Sequence, residues 1–257
     1  MTSTLIAFGG KGVSGKTTLC AMVLRELVRL GKRPILAVDA DPNATLALTL
    51  GEVVDETIAD LRDRMGEAAQ AAAAIPKHRL MDQWLAELLT EATGFDVLTM
   101  GRPEGPKCYC YVNSLLRRYL KELRGSYAAI LVDCEAGMEY LSRLSVDDVD
   151  ALVLVAEATP IGLTSACRIA ELADSLPVKV KRRLLALNKI NDADDVDALL
   201  DGHPRPDVAE TVHVAFDSDL RERCVRGEPL DGDAGAAARN AVEKLARLCL
   251  DTTPATA

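Results

Sequence analysis

Apolar residues follow two alternating rhythms along the chain. Short, nearly continuous blocks are Leu5-Ile6-Ala7-Phe8, Pro34-Ile35-Leu36-Ala37-Val38, Phe95-Asp96-Val97-Leu98-Thr99-Met100, Ala128-Ala129-Ile130-Leu131-Val132, Ala151 to Ala156 and Arg183 to Leu187. Blocks of this length and composition predict strands buried on both faces. Between them the apolar positions recur every three to four residues: Leu19, Met22, Val23, Leu27 and Leu30, then Leu115, Leu116, Tyr119, Leu120 and Leu123 behind Asn113, then Leu163 to Ser175. That spacing predicts helices, the first of them stopped by Gly31. A short helix is expected over Ala44 to Leu50, a last strand over Glu210 to Phe216, and helices near Leu220 to Val225 and Ala234 to Leu250. Residues 52–93 read as a mostly helical surface insertion: Thr57 and Asp60 start a charged helix, Pro76 breaks an Ala-rich stretch, and Trp84 centres another apolar stripe. Residues 191–207 are acidic, carry Pro204 and Pro206, and suit a solvated segment. Strands alternating with helices predict an α/β fold, a mostly parallel sheet with helices on both faces. Residues 1–251 read as one domain, and 252–257 as a disordered tail.

Composition narrows this picture. The chain has 257 residues, enough for one α/β domain with an ample core, but only 4% are aromatic, so Ala, Leu and Val must fill that core. The net charge of −9 argues against a nucleic-acid partner, because phosphate backbones need a basic footprint. No apolar run reaches membrane-spanning length and the first strand follows directly on the N-terminus, so a cytoplasmic location without stable membrane association is expected. Seven cysteines in such a chain read as thiols or metal ligands rather than a disulfide framework.

The first chemistry lies between the first strand and the first helix. Gly10-Lys11-Gly12-Val13-Ser14-Gly15-Lys16-Thr17-Thr18 fits the phosphate-binding loop G-x-x-x-x-G-K-[ST] at every fixed position. In that setting the glycines let backbone N–H groups curl around phosphate oxygens, and the helix N-terminus adds its dipole. Lys16 would reach the outer phosphates of ATP and Thr17 would hold Mg²⁺. Val13 is out of place, because a β-branched residue tolerates positive φ poorly; the loop there uses ordinary φ or carries strain.

Three strand ends add carboxylates and an amide. Asp133 closes the strand at Val132, where it would bind Mg²⁺ through water, and Gly137 four residues on would let a backbone N–H approach the terminal phosphate. Asp39 and Asp41 follow the second strand. No Ser, Cys or His is placed as a covalent nucleophile, so water is the attacker and one of this pair would orient it. Asn188-Lys189 ends a late strand, and an Asn amide suits an adenine edge.

Cys108-Tyr109-Cys110 follows a Gly/Pro-rich loop. Two thiolates at this spacing supply half of a tetrahedral site, and a two-fold dimer supplies all four. Their softness suits Zn²⁺, Ni²⁺ or Cu⁺, with square-planar geometry favouring Ni²⁺. The remaining cysteines, Cys20, Cys134, Cys167, Cys224 and Cys249, sit mainly in apolar contexts and read as small core residues.

Lys11 makes the loop resemble the deviant K-G-G-x-G-K-T-T form found in the family of dimeric P-loop ATPases that includes MinD, ParA, nitrogenase iron protein and the nickel-insertion ATPases. There the lysine reaches the partner's nucleotide across a homodimer; Val13 stands where that family has its second Gly. Resemblance to the same family implies that Asp41 positions the water, that Asp39 supports Mg²⁺, and that Asn188 and Lys189 contact adenine. The string from Cys108 to Arg117 looks like the C-Y-C-x-x-N-x-x-L-R stretch of CooC-type ATPases, which mature nickel carbon monoxide dehydrogenase. Asp133 to Arg143 is similar to that family's D-x-E-A-G-x-E-H-L-S-R, with Tyr140 in place of His. The resemblance implies an ATPase that holds nickel or zinc between two subunits and delivers it to a client nickel enzyme such as carbon monoxide dehydrogenase. Two other readings remain open. An electron-transfer ATPase would share a [4Fe–4S] cluster between subunits, although no second cysteine follows Asp133 at the required distance. A positioning ATPase would need a basic terminal helix or a basic face, and this chain has an acidic balance.

Overall fold

A computed structural model describes residues 3–61, 64, 84, 86–102, 120–134, 148–230 and 236–251. Its described strands form one eight-stranded sheet, in the order β3-β4-β2-β5-β1-β6-β7-β8. The strands are β1 (Thr4–Gly10), β2 (Ile35–Ala40), β3 (Leu89–Ala92), β4 (Phe95–Thr99), β5 (Ala129–Cys134), β6 (Asp148–Glu157), β7 (Lys179–Ile190) and β8 (Glu210–Ala215). The described helices are α1 (Lys16–Arg29), α2 (Thr45–Leu50), α3 (Pro160–Ser175), α4 (Val196–Gly202), α5 (Ser218–Arg226) and α6 (Arg239–Leu250). All neighbouring strands run parallel except β3 and β4.

The continuous apolar blocks mark the strands that are covered on both faces. Every residue of β2 and of β5 is buried, whereas edge strand β8 alternates buried and exposed positions over its last four residues. One apolar layer joins α3, through Leu163, Ala166, Ile169, Ala170 and Ala173, to one face of the sheet. The other joins α1 and α6 to the opposite face through Leu19, Val23, Leu27, Val242, Leu245 and Ala246. Among the described residues Phe8 and Phe95 are the bulkiest fully buried side chains, so aliphatic packing carries this core, as the low aromatic content requires.

The helices begin and end where local chemistry allows. Thr159 caps α3 by accepting the Gly162 N–H at 3.0 Å, and Pro160 occupies its first turn. Helix α1 gives way to Gly31 at φ 79°. Thr57 and Asp60 exchange hydrogen bonds in the manner of a capping box, Thr57 N–H to Asp60 Oδ2 at 2.9 Å and Asp60 N–H to Thr57 Oγ1 at 3.3 Å.

One expectation is corrected, and another gains detail. Residues 89–92 form a strand rather than a continued helix: Thr93 and Gly94, the latter at φ 90°, make a two-residue turn that folds β3 antiparallel onto β4, with Ala92 opposite Phe95. Residues 196–202 form helix α4 within the acidic stretch; Asp195 caps it by accepting the Ala198 N–H, and none of its residues is buried. Within the 52–93 insertion, residues 62–63, 65–83 and 85, Pro76 among them, lie outside the described residues, as do the start of the helix behind Asn113 and the tail 252–257. Among the described residues no helix is long and apolar enough to cross a membrane.

Candidate nucleotide site

The carboxyl ends of β1, β2, β5, β6 and β7 lie along one edge of the sheet, the edge at which open α/β sheets bind ligands. The loop from Gly10 to Gly15 rises from β1 at the centre of that edge. Gly10 has no room for a side chain: a Cβ would stand 2.4 Å from the Val155 carbonyl oxygen and 2.8 Å from Ser14 Oγ. Gly15 takes φ 91°, and a Cβ there would stand 2.4 Å from Asn188 Nδ2. Gly15 is also the N-cap of α1. No side chain caps that helix and no acidic residue sits in its first turn, so its leading N–H groups and dipole stay free for an anion. Lys16 is buried beneath the loop, while Lys11, Gly12 and Val13 are exposed at its tip.

Asp39 and Asp133 are Cα partners on adjacent strands β2 and β5. The Thr17 hydroxyl donates to Asp133 Oδ2 at 2.6 Å, whereas Asp133 Oδ1 is buried with no hydrogen-bond partner among the described residues. A hydroxyl that donates to a carboxylate turns its lone pairs outward, and a buried orphan carboxylate oxygen calls for a donor. Thr17 and Asp133 therefore fit a hydrated Mg²⁺, which keeps several waters for such acceptors. Burial pushes the Asp133 carboxyl up to about 6; the Thr17 hydrogen bond and the charge of Lys16 pull it down, and Asp41 pushes it up.

Asp39 is fully buried and already occupied. Its Oδ2 accepts the Leu46 N–H at 2.7 Å and its Oδ1 accepts the Asp41 N–H at 3.2 Å, so it ties the end of β2 to α2. Burial, with the nearby charge of Asp133, raises this carboxyl to about 7 against the lowering effect of those two N–H groups. Asp41 is half-buried, and its Oδ1 accepts from both the backbone and the side-chain amide of Asn43, at 2.9 and 2.8 Å. Asp41 thus carries one oxygen, Oδ2, outside these bonds.

Asn188 and Lys189 brace the loop. Asn188 Nδ2 donates to the Ser14 carbonyl at 2.9 Å, and Asn188 Oδ1 accepts the Lys189 N–H at 3.0 Å. Lys189 Nζ donates to the Val13 carbonyl at 2.5 Å and to Glu157 Oε1 at 2.7 Å. Val13 does carry strain: its φ is 65° and it is 85% exposed. The non-glycine residues with positive φ among those described are Val13, Ala44 and Lys189, and all three lie on segments around this site. Backbone strain of this kind persists where surrounding contacts hold it.

Beside the loop opens a cavity of about 470 Å³. Its floor is Thr18, Leu19 and Met22 of α1, and its far wall is Phe216, Leu220 and Arg221. The size and apolar walls suit a nucleoside. Sequence reasoning did not identify that far wall. The available signal was positional, since Phe216 follows the end of β8 at the same sheet edge as Asn188. Asp217 also lines the cavity, but it is committed to capping α5, accepting the Leu220 N–H at 2.9 Å and the Ala237 N–H at 3.2 Å.

The structure thus gathers Gly10, Lys11, Gly12, Val13, Ser14, Gly15, Lys16, Thr17, Thr18, Asp39, Asp41, Asp133, Asn188 and Lys189 around one sheet edge. Gly137, Cys108 and Cys110 lie outside the described residues. Among the described residues no group of three or more His, Cys, Asp or Glu could hold a metal ion. Cys20, Cys134 and Cys249 are buried, as expected, and burial raises all three thiols, Cys249 to about 12. Cys224 is exposed and Cys167 half-buried, which corrects their reading as core residues: α5 buries no residue at all, and α3 sets Cys167 at its margin.

Residues 5–230 match the family described as the CobQ/CobB/MinD/ParA nucleotide binding domain. An uncharacterised ATP-binding protein of Methanocaldococcus jannaschii is 34% identical over 230 residues, covering 88% of this chain and 90% of the relative. The carbon monoxide dehydrogenase accessory protein CooC of Rhodospirillum rubrum is 30% identical over 228 residues, covering 84% of this chain and 85% of the relative. Among solved structures, the septum site-determining protein MinD of Pyrococcus horikoshii in complex with Mg-ADP superposes with a TM-score of 0.69 at 22% identity, covering 97% of this chain and 96% of that one.

Proposed function

Because the chain belongs to the CobQ/CobB/MinD/ParA nucleotide-binding family and is an ATPase of it, we propose that it is an ATP-driven metallochaperone: a homodimer that gathers a nickel or zinc ion between two subunits and passes it to a client metalloenzyme. The observation that carries this reading is Cys108-Tyr109-Cys110, a soft-metal half-site in a chain that also holds the parts of an ATP site. The similarity to the carbon monoxide dehydrogenase accessory protein supports a nickel enzyme as client.

The described residues divide the hydrolytic work. The free N–H groups at the start of α1 and the ammonium of Lys16 take the β- and γ-phosphates, and the cavity beside the loop takes the nucleoside. Bound Mg²⁺, held by Thr17 directly and by Asp133 through water, would neutralise charge on the β- and γ-phosphates. Asp41, steadied by Asp39 and Asn43, orients a water toward the γ-phosphorus. The P–O bond to the β-phosphate breaks as that water adds, leaving ADP and phosphate. Lys11, exposed at the loop tip, would reach the nucleotide of the second subunit. Asn188 and Lys189 close the loop side of that cavity, and the Gly137 N–H would follow the terminal phosphate.

Metal and nucleotide should bind with positive coupling, because the four thiolates meet only in the closed dimer. The test is nickel and zinc binding with and without a non-hydrolysable ATP analogue, alongside the dimer fraction. One metal per nucleotide-bound dimer is expected, lost together with metal-dependent dimerisation in Cys108→Ala/Cys110→Ala while each subunit still binds ATP. Equal metal affinity in both nucleotide states would refute the mechanism.

A further inference from the structure

We infer that Glu157 and Lys189 form a latch that positions the phosphate loop by holding Val13 in its left-handed conformation, so that Lys189 acts on nucleotide affinity through Val13 rather than through the base. This rests on the ATP-site reading above.

The latch is a chain of contacts that starts in the rigid sheet. Glu157 ends β6, and α3 packs against its backbone: a Cβ on Gly162 would stand 2.2 Å from the Glu157 carbonyl oxygen. The Thr159 N–H also closes on that carbonyl, at 2.7 Å. The Glu157 carboxylate therefore leaves from a fixed point, and it accepts from Lys189 Nζ at 2.7 Å. The same ammonium donates to the Val13 carbonyl at 2.5 Å. Lys189 is itself set by its backbone, at φ 61°, and by the bond from its N–H to Asn188 Oδ1. Asn188 then holds the neighbouring Ser14 carbonyl. Two adjacent loop carbonyls, those of Val13 and Ser14, are thus pinned from the end of β7.

Residue 13 shows what the pins resist. A β-branched residue at φ 65° is an outlier that relaxes toward negative φ when released. The Val13 side chain is 85% exposed, so no packing of its own holds it there. Rotating φ13 would swing the peptide N–H of Ser14, one of the group that must face phosphate. As a Coulomb pair Glu157–Lys189 is half in water and contributes little. Its consequence is directional: it leaves the ammonium aimed at one carbonyl. The amide of Asn188 and the ammonium of Lys189 already have protein partners in this arrangement, so base recognition is not needed to account for either.

The test is a double-mutant cycle between Lys189→Met and Val13→Gly, read as MgATP and MgGTP dissociation constants with unfolding temperatures measured in parallel. Methionine keeps the unbranched stem of lysine as far as Cε without the ammonium, and glycine takes positive φ without strain. Lys189→Met should weaken MgATP about tenfold in the Val13 background, equivalent to about 1.4 kcal/mol. In the Val13→Gly background the same change should cost less than about threefold. The MgATP-to-MgGTP ratio should stay constant throughout, and Lys189→Arg should recover most of the loss. Should Lys189→Met fail to fold, Glu157→Gln provides the same comparison from the other side of the latch. Equal losses in both backgrounds, no loss in either, or a changed ATP-to-GTP ratio would overturn the latch. Failure of the parent protein itself to bind MgATP would instead sink the nucleotide reading, and the latch's effect on affinity with it.

Discussion

Replacing Asp39 by Asn should make the apoprotein's stability respond to pH in a specific way. Asp39 is fully buried, and its carboxyl is raised to about 7, chiefly by burial. In the unfolded chain the same group titrates near 3.9. The folded state therefore holds a proton that the unfolded state releases, and stability must fall as pH rises. The sign follows directly: the contribution is fully present below about pH 4 and is lost by about pH 7. The interval is about three pH units, and each is worth about 1.4 kcal/mol, so about 4 kcal/mol disappears across it. An Asn at this position does not titrate. Its amide also leaves one of the two backbone N–H groups, that of Leu46 or that of Asp41, without an acceptor, which costs about 1–3 kcal/mol at every pH. The variant should thus be the less stable protein near pH 4. It should draw level with or overtake the parent near pH 8. Urea unfolding of both proteins in EDTA, from pH 4 to 8, measures this. The difference between them, rather than either curve alone, removes the titration of the many exposed carboxylates. A difference that stays constant with pH, or that favours the parent more as pH rises, would refute the account of Asp39 as a carboxyl held protonated by burial.

Two more predictions concern the site. Asp133→Asn should leave ATP bound but lower kcat by about a hundredfold or more, because the amide cannot supply the paired oxygens that orient Thr17 and accept metal-bound water; steady-state hydrolysis across a Mg²⁺ titration checks it, and full recovery at high Mg²⁺ would contradict it. Gly15→Ala should abolish ATP binding and lower the unfolding temperature by several degrees, since the new Cβ meets φ 91° and an Asn188 nitrogen 2.4 Å away; calorimetry with and without MgATP decides, and unchanged binding would mean that the loop relaxes freely.

Much of the architecture could be read in the apolar rhythm because each block answers to one environment. A run such as Ala129 to Val132 is apolar at every position only if both faces are covered, and β5 is buried throughout. The phosphate loop was legible because glycines, lysine and threonine at fixed spacing have one shared physical use, and the loop does sit between β1 and α1. The strand at 89–92 was not read, since four residues carry too little periodicity and the pairing that makes them a strand is supplied by β4 across the Thr93-Gly94 turn.

The sequence by itself determined the order of elements, the loop and the carboxylates that end β2 and β5. It also marked Val13 as a residue at odds with its position. Tertiary structure decided how those pieces act on one another. Only the register of β2 with β5 sets Asp39 beside Asp133, and only the docking of α2 brings the Leu46 N–H to Asp39 Oδ2. Only the meeting of β6, β7 and the loop, from positions 157, 189 and 13, gives the strained Val13 something to hold it. The reason is that spacing records local geometry, whereas a carboxylate's protonation and a lysine's partner depend on groups brought near from far along the chain.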